Sequence, residues 1–257
     1  MYPILLKIGP LTVYSFGVMM ATGFYVGAWL AVAEFRRRGG EPEPMWNLLL
    51  WTFLGGLAGA RLLSMLGDPG AVLRDPIGEL FSGSGFVWYG GLIGGLLVGL
   101  ALFRRYGIPL PRLLDCAAPG LAIGQAIGRL GCHIAGDGDW GTVTDLPWGV
   151  AYERAIVGWP HPPGVRVHPT PLYEAAAYTA VFLGLWAIRK RNFREGTLFA
   201  LYLVSTCAAR FAVEFIRTNP KLALGLTEAQ WTAMVLFAAA ATWLVRYRKD
   251  LRATSAR

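Results

Sequence analysis

Charge is scarce in this 257-residue chain: only 16% of its residues are Asp, Glu, Lys or Arg, against about a quarter in soluble globular domains. With 54% hydrophobic residues, that scarcity excludes an ordinary soluble fold. Cysteine is scarce too. Cys116, Cys132 and Cys207 fall in or beside apolar runs, and an odd count without paired spacing gives neither a disulfide framework nor a zinc site. No basic region precedes the first apolar stretch; Arg36, Arg37 and Arg38 follow it, so the amino end reads as a retained span and not as a cleaved signal. Acid is also in deficit, leaving a net charge of +8. The basic residues sit in short clusters between apolar runs and form no stripe, so they point to membrane topology and not to nucleic acid.

A spanning helix needs roughly twenty mostly apolar residues, and that ruler predicts seven spans, at about 12–34, 45–66, 86–104, 113–135, 171–189, 196–217 and 228–246. The expected fold is therefore an all-α integral membrane protein, with residues 1–257 forming one polytopic domain. Basic clusters fall in alternate connections: Arg36 to Arg38; Arg104, Arg105 and Arg112; Arg189, Lys190, Arg191 and Arg194; and Arg246, Arg248, Lys249, Arg252 and Arg257 at the carboxyl end. By the positive-inside rule the amino end lies outside and the carboxyl end in the cytoplasm. The outer side then receives 67–85 and a long loop at about 136–170, rich in Gly, Pro and Trp. Loops of that length are usually functional or mobile.

Glycines recur at helix-packing spacing: Gly55 and Gly59; Gly91, Gly95 and Gly99; Gly120, Gly124 and Gly128. Close helix contact accounts for most of them. Gly90 and Gly91, beside Tyr89 at the outer end of the third span, are candidates for contact with a ligand.

Charges inside spans cost about 2.5–3.5 kcal/mol each on insertion scales and mark bundle interiors or water-filled cavities. Arg61, Arg129, Arg210 and Glu214 qualify. Arg210, Glu214 and Arg217 follow i, i+4, i+7 spacing and share one helix face; Gln125, Arg129 and Cys132 or His133 form a second polar stripe. The two stripes are expected to face each other. Counted within spans, the arginines outnumber Glu214, so a missing anion is expected, and phosphate suits the guanidinium fork.

Beyond Arg129 runs Gly128-Arg-Leu-Gly-Cys-His-Ile-Ala-Gly-Asp-Gly-Asp-Trp-Gly141, a helix end passing into a turn, where glycines permit left-handed backbone. Asp137 and Asp139 are open to capping, cation binding or proton acceptance, and for Asp139 a structural turn outweighs catalysis. Two carboxylates alone are a weak metal signal. In His168-Pro-Thr-Pro-Leu-Tyr-Glu174, Thr170 is the expected N-cap with Pro171 first in the helix. Glu174 is open to two roles, facing the helix dipole or taking part in a site. His168 suits proton traffic.

The segments Gly128-Arg-Leu-Gly131, His168 to Glu174 and Arg210-Phe-Ala-Val-Glu-Phe-Ile-Arg217, with Gly59-Ala-Arg-Leu62 and Tyr89-Gly-Gly-Leu-Ile-Gly94, resemble the prolipoprotein diacylglyceryl transferase family over nearly the whole chain. The resemblance implies a multi-pass enzyme of the bacterial cytoplasmic membrane. It would transfer the diacylglyceryl group of phosphatidylglycerol to the lipobox cysteine of a preprolipoprotein, releasing glycerol phosphate. No metal or cofactor is implied. Arg129 and Arg210 would grip the lipid phosphate, with Glu214 orienting Arg210; Arg61, Gly90, Gly91, Tyr14 and Glu174 are further candidate substrate contacts.

The chemistry needs a thiolate, and there the chain departs from the family pattern. Many members carry His where this chain has Tyr89, and tyrosine, titrating near 10, is a weak base at neutral pH. His168, Asp137, His133 or the arginine field alone are the alternatives. Cys132 and Ala135 replace family asparagines, the turn holding Asp137 is one residue longer, and Phe16 stands where Tyr is common, with Tyr14 two residues before it. Two other readings stay open: an anionic-lipid binder or transporter without turnover, for which no internal repeat is found, and the same lipid transfer to another acceptor.

Overall fold

The computed structural model describes residues 1–9, 11–81 and 87–248. Lys249, Arg252 and Arg257 of the carboxyl-terminal basic cluster lie outside the described residues. In order, the elements are β1 (Ile4–Ile8), β2 (Leu11–Tyr14), α1 (Ser15–Arg37), α2 (Pro42–Gly67), α3 (Pro69–Arg74), α4 (Pro76–Phe81), α5 (Trp88–Tyr106), α6 (Leu110–Ala135), α7 (Thr170–Ile188), α8 (Thr197–Glu214), a 3-10 turn at Ala223–Gly225, and α9 (Glu228–Arg246). Each of the seven expected spans falls on one of the long helices. Four meet the length and hydropathy needed to cross a membrane: Ser15–Arg37, Pro42–Gly67, Thr170–Ile188 and Thr197–Ile216. The architecture is that of a mostly helical membrane protein.

The amino end differs from the expectation of an all-α chain whose first span starts at about residue 12. The chain begins with an antiparallel hairpin, Ile8 opposite Leu11, turning through Gly9 at φ 55°. The first helix therefore starts at Ser15, whose amide and hydroxyl both donate to the Pro3 carbonyl. Ile-Leu-Leu-Lys-Ile looks like the lead of a span, but its apolar residues have room to pair as strands once glycine closes the turn. The segment after α2 also forms two short helices, and Asp68 caps α3 by accepting from the Ala71 amide.

The chain divides into two compact units, Met1–Ala31 with Leu114–Arg257, and Val32–Leu113. In the second, α2 and α5 pack through glycine. A Cβ on Gly59 would stand 2.3 Å from the Gly90 carbonyl oxygen, and one on Gly90 would meet Gly59 O at 2.3 Å. The backbones are therefore in contact, as lipid-embedded helices require when no hydrophobic effect drives association. The outward residues Leu92, Ile93, Leu96 and Leu97 are exposed. The same unit holds Arg61, buried and paired with Glu79 at 3.3 Å.

In the first unit α1 and α6 use the same device: Gly27 faces Gly120, and Gly23 faces Gly124. Pro119 sits inside α6 and is fully buried. From α6, buried Asp115 accepts hydrogen bonds from the Gly196 and Phe199 amides, both at 2.9 Å, satisfying two of the unpaired amides at the start of α8. One carboxylate thus sets the register of α8 against α6. At α9 a full capping box joins Thr227 and Gln230. Asp115→Ala removes the acceptor from buried donors and should cost about 1–3 kcal/mol, read as a lower unfolding temperature in detergent; an unchanged temperature would show that α8 is positioned by packing alone.

Candidate active site

Four pieces of the first unit meet at the carboxyl end of α6. The connection after α6 is folded, not loose. Val150 and Val167 exchange amide hydrogen bonds at 3.0 Å, Thr144 N donates to Arg166 O, and Gly141 N donates to His168 O. Trp140, Tyr152 and Val167 form a small buried core beneath it. Gly136 and Gly138 turn at φ 65° and 96°, bringing the chain back toward the helix it has left. At Gly141 a side chain is excluded, since a Cβ would lie 2.5 Å from the Ile216 carbonyl oxygen and 2.9 Å from the His168 Cβ. That close approach brings Asp139, the start of α7 and the end of α8 together.

Glu174, wholly buried one turn into α7, is the hub. Its Oε1 accepts from Arg210 Nη1 at 2.8 Å; its Oε2 lies 3.2 Å from Arg129 Nε and 3.3 Å from Arg217 Nη1. Tyr178, one turn further along α7, donates its hydroxyl to Oε1 at 3.4 Å. Glu214 Oε2 pairs with Arg210 Nη2 at 3.0 Å, and its Oε1 accepts from Asn219 at 2.6 Å. Asp139 bridges the remaining gap, with one carboxylate oxygen on Arg129 and the other on Arg217. The polar stripes of α6 and α8 thus face each other through a carboxylate on α7.

This geometry corrects the charge count. Among the described residues of this cluster, Arg129, Arg210 and Arg217 meet Glu174, Glu214 and Asp139, so the arginines are not in surplus. Arg61 belongs to the other unit with its own partner. The sequence count considered only charges within spans, and therefore missed the loop acid Asp139 and set Glu174 aside as a dipole partner or site residue. Asp139 is an ion-pair partner as well as a turn residue, its amide bonded to Asp137 Oδ1 at 3.2 Å. Thr170 is no N-cap. Pro169 holds that position, and the Thr170 hydroxyl donates to the Asp139 carbonyl. An i, i+4 pairing of Glu174 with Tyr178 was the available sign of a polar face on α7.

A cleft of about 340 Å³ opens on this cluster, lined by Phe16, Met20, Gln125, Gly128, Arg129, Cys132, Asp137, Asp139 and Tyr178. Tyr14 is not among the lining residues; Phe16 is. The side chains of Arg129 and Arg210 are 22% and 21% exposed, while Arg217 is 4% and both glutamates 0%. Arg129, Arg210 and Asp139, itself 29% exposed, are therefore partly open, and Arg217 and the two glutamates are sealed behind them. Cys132 Sγ and carboxylate oxygens of Asp137 and Asp139 lie within 4.8 Å of one another. A cation there would compete with the two guanidiniums that hold Asp139.

The candidate proton acceptors are held differently. His168 Nδ1 shares a hydrogen bond with the Tyr173 hydroxyl at 3.2 Å, and His133 Nδ1 shares one with Tyr152 at 2.9 Å. Asp137 lines the cleft. Tyr89, Gly90 and Gly91 belong to the other unit, where Gly90 is a helix-packing residue.

Residues 3–246 match the model of a family described as prolipoprotein diacylglyceryl transferase. The chain belongs to this family. Among curated relatives, phosphatidylglycerol-prolipoprotein diacylglyceryl transferase 1 of Streptomyces coelicolor is 34% identical over 248 residues, covering 93% of this chain and 71% of the relative. The transferase of Clostridium tetani is 30% identical over 222 residues, 86% of this chain and 87% of the relative. That of Mycobacterium tuberculosis is 33% identical over 270 residues, and the match spans only 57% of its length.

Burial works against charge on Asp139, but its hydrogen bond to Arg217 and the charges of Arg217, Arg129 and Arg210 outweigh it and hold the carboxyl below its ordinary value of 3.8. A lowered carboxyl pKa adds stability that is complete above the unfolded-state value and is lost as pH falls through the folded one. Wild type should therefore lose stability on acidification below about pH 4, and Asp139→Asn should lose less over the same interval. Coincident acid-unfolding curves would mean that Asp139 contributes nothing to the fold's acid sensitivity.

Proposed function

We propose that the chain transfers the diacylglyceryl group of phosphatidylglycerol to the lipobox cysteine thiol of preprolipoproteins, and that the cluster around Glu174 is its active site. The observation that carries this is the convergence of Arg129 and Arg210 on one buried carboxylate, leaving two fixed guanidiniums partly open. The reaction forms a carbon–sulfur bond at the glyceryl carbon and breaks its bond to the phosphate oxygen. The electron pair leaves with glycerol phosphate and the thiol proton passes to an acceptor. Charge grows on the leaving phosphate, which is where pre-oriented donors lower the barrier most. Glu174 and Glu214 hold both arginines in place before substrate arrives, with Arg217 locked between them.

On this reading all seven long helices cross the bacterial cytoplasmic membrane, the amino end is outside, and 1–257 is one polytopic domain. The folded loop at about 136–170 then sits at the outer face, where a preprolipoprotein emerges. Tyr14, in the same unit as the cluster, is a further substrate contact on this reading, and the proton acceptor is His168 or Asp137. Asp137 is favoured by its place in the cleft beside Arg129. Metal and cofactor are not needed by this chemistry.

Purified protein with phosphatidylglycerol and a lipobox peptide should yield a peptide heavier by one diacylglyceryl group on mass spectrometry. No product alongside an active control transferase would refute the reading for that acceptor. Arg129→Ala and Arg210→Ala should each lower turnover by about 100-fold or more. Asp137→Asn should be the damaging change at the proton acceptor; full activity in that variant would remove the Asp137 carboxylate from the proton path and leave His168.

A further inference from the structure

The cleft offers an incoming phosphate no bare arginine. Arg129, the one arginine among its lining residues, already carries two carboxylates, Glu174 behind it and Asp139 in front. Those two acids are not equivalent. Glu174 is sealed at 0% exposure and tied to three guanidiniums; Asp139 is 29% exposed and lines the cleft itself.

We infer that Asp139 is a built-in stand-in for the substrate phosphate: it neutralises Arg129 and Arg217 while the cleft is empty, and the lipid headgroup must displace its side chain to bind. The inference rests on the proposed use of phosphatidylglycerol and names a positioning residue for it. Its physical basis is the separation of backbone from charge. The Asp139 carbonyl accepts from Thr170 and its amide donates to Asp137, while Gly141 two residues later is bonded to His168. The main chain is therefore fixed, and the carboxylate can leave its arginines by rotation about its own side-chain bonds. Without Asp139 the three guanidiniums would share two glutamates, and a surplus buried charge is costly, so a third anion must stay in place throughout. Asp139 fills that need between turnovers and, by returning, helps to expel glycerol phosphate, whose charge is greater than that of the lipid's phosphodiester.

Removing the internal competitor should tighten anion binding and slow product loss. Asp139→Asn, nearly isosteric, should lower the KM for phosphatidylglycerol by about three- to tenfold, lower kcat, and bind glycerol phosphate more tightly by a similar factor in titration calorimetry. Asp139→Glu, which keeps the charge, should lie near wild type in all three. A folded Asn variant with an unchanged or raised KM and unchanged glycerol phosphate binding overturns the inference. Asp139→Ser serves if the Asn variant fails to fold; if neither neutral variant folds while Asp139→Glu does, Asp139 is a fixed structural anchor and the inference fails. Tighter glycerol phosphate binding in the Asn variant without lipid transfer by wild type would remove the proposed reaction and leave this role standing. Transfer with unchanged KM and binding would remove this role alone.

Discussion

Everything at the candidate site depends on one carboxylate placed where carboxylates rarely go. Glu174 is fully buried, accepts hydrogen bonds from Arg210 on α8 and from Arg217 just beyond it, and is ion-paired with Arg129 on α6. Withdrawing such groups from water costs several kcal/mol per ion, and attraction repays it only when every charge has a well-placed partner. The cluster meets that demand by reciprocal pairing: Glu214 and Asp139 hold the guanidinium faces that Glu174 does not reach. The geometry that satisfies the ions also fixes α6, α7 and α8 relative to one another.

The scaffold around the cluster is built to tolerate that rigidity. Glycine contacts between α1 and α6 bring backbones together without side chains to adjust, and Asp115 ties the start of α8 to α6 at its far end. Arg210 and Glu214 on α8 are thus located from both ends, by a capped first turn and by the ion cluster in the last. The loop after α6 is located by its own aromatic core and by ladder bonds to the segment leading into α7. A site made from four chain segments needs each of these restraints, because a guanidinium displaced by an ångström loses one of its two partners.

Much of this was legible in the sequence, and the parts that were not share a cause. The long helices were readable because apolar length is a local property. Arg129 and Arg210 were readable because charge is expensive in a span wherever it lies. The helical spacing of Arg210, Glu214 and Arg217 gave their shared face. Asp139 was not legible as an ion partner because its role depends on a turn of glycines that returns the loop to α6, a non-local event with no periodic signature. The function of Glu174 was hidden by a second, local explanation that any acid near a helix start will satisfy. The hairpin was missed because its strand residues are as apolar as the span they precede, and only the short Gly9-Pro10 pair in the sequence marks the reversal.

The order of the paired charges along the chain carries a further consequence. From amino to carboxyl end they read Arg129, Asp139, Glu174, Arg210, Glu214, Arg217, so the running sum never departs from neutrality by more than one unit. During synthesis each new ion is met by the next or has been anticipated by the last. The nascent protein therefore never holds two like charges of this cluster uncompensated while its helices enter the lipid.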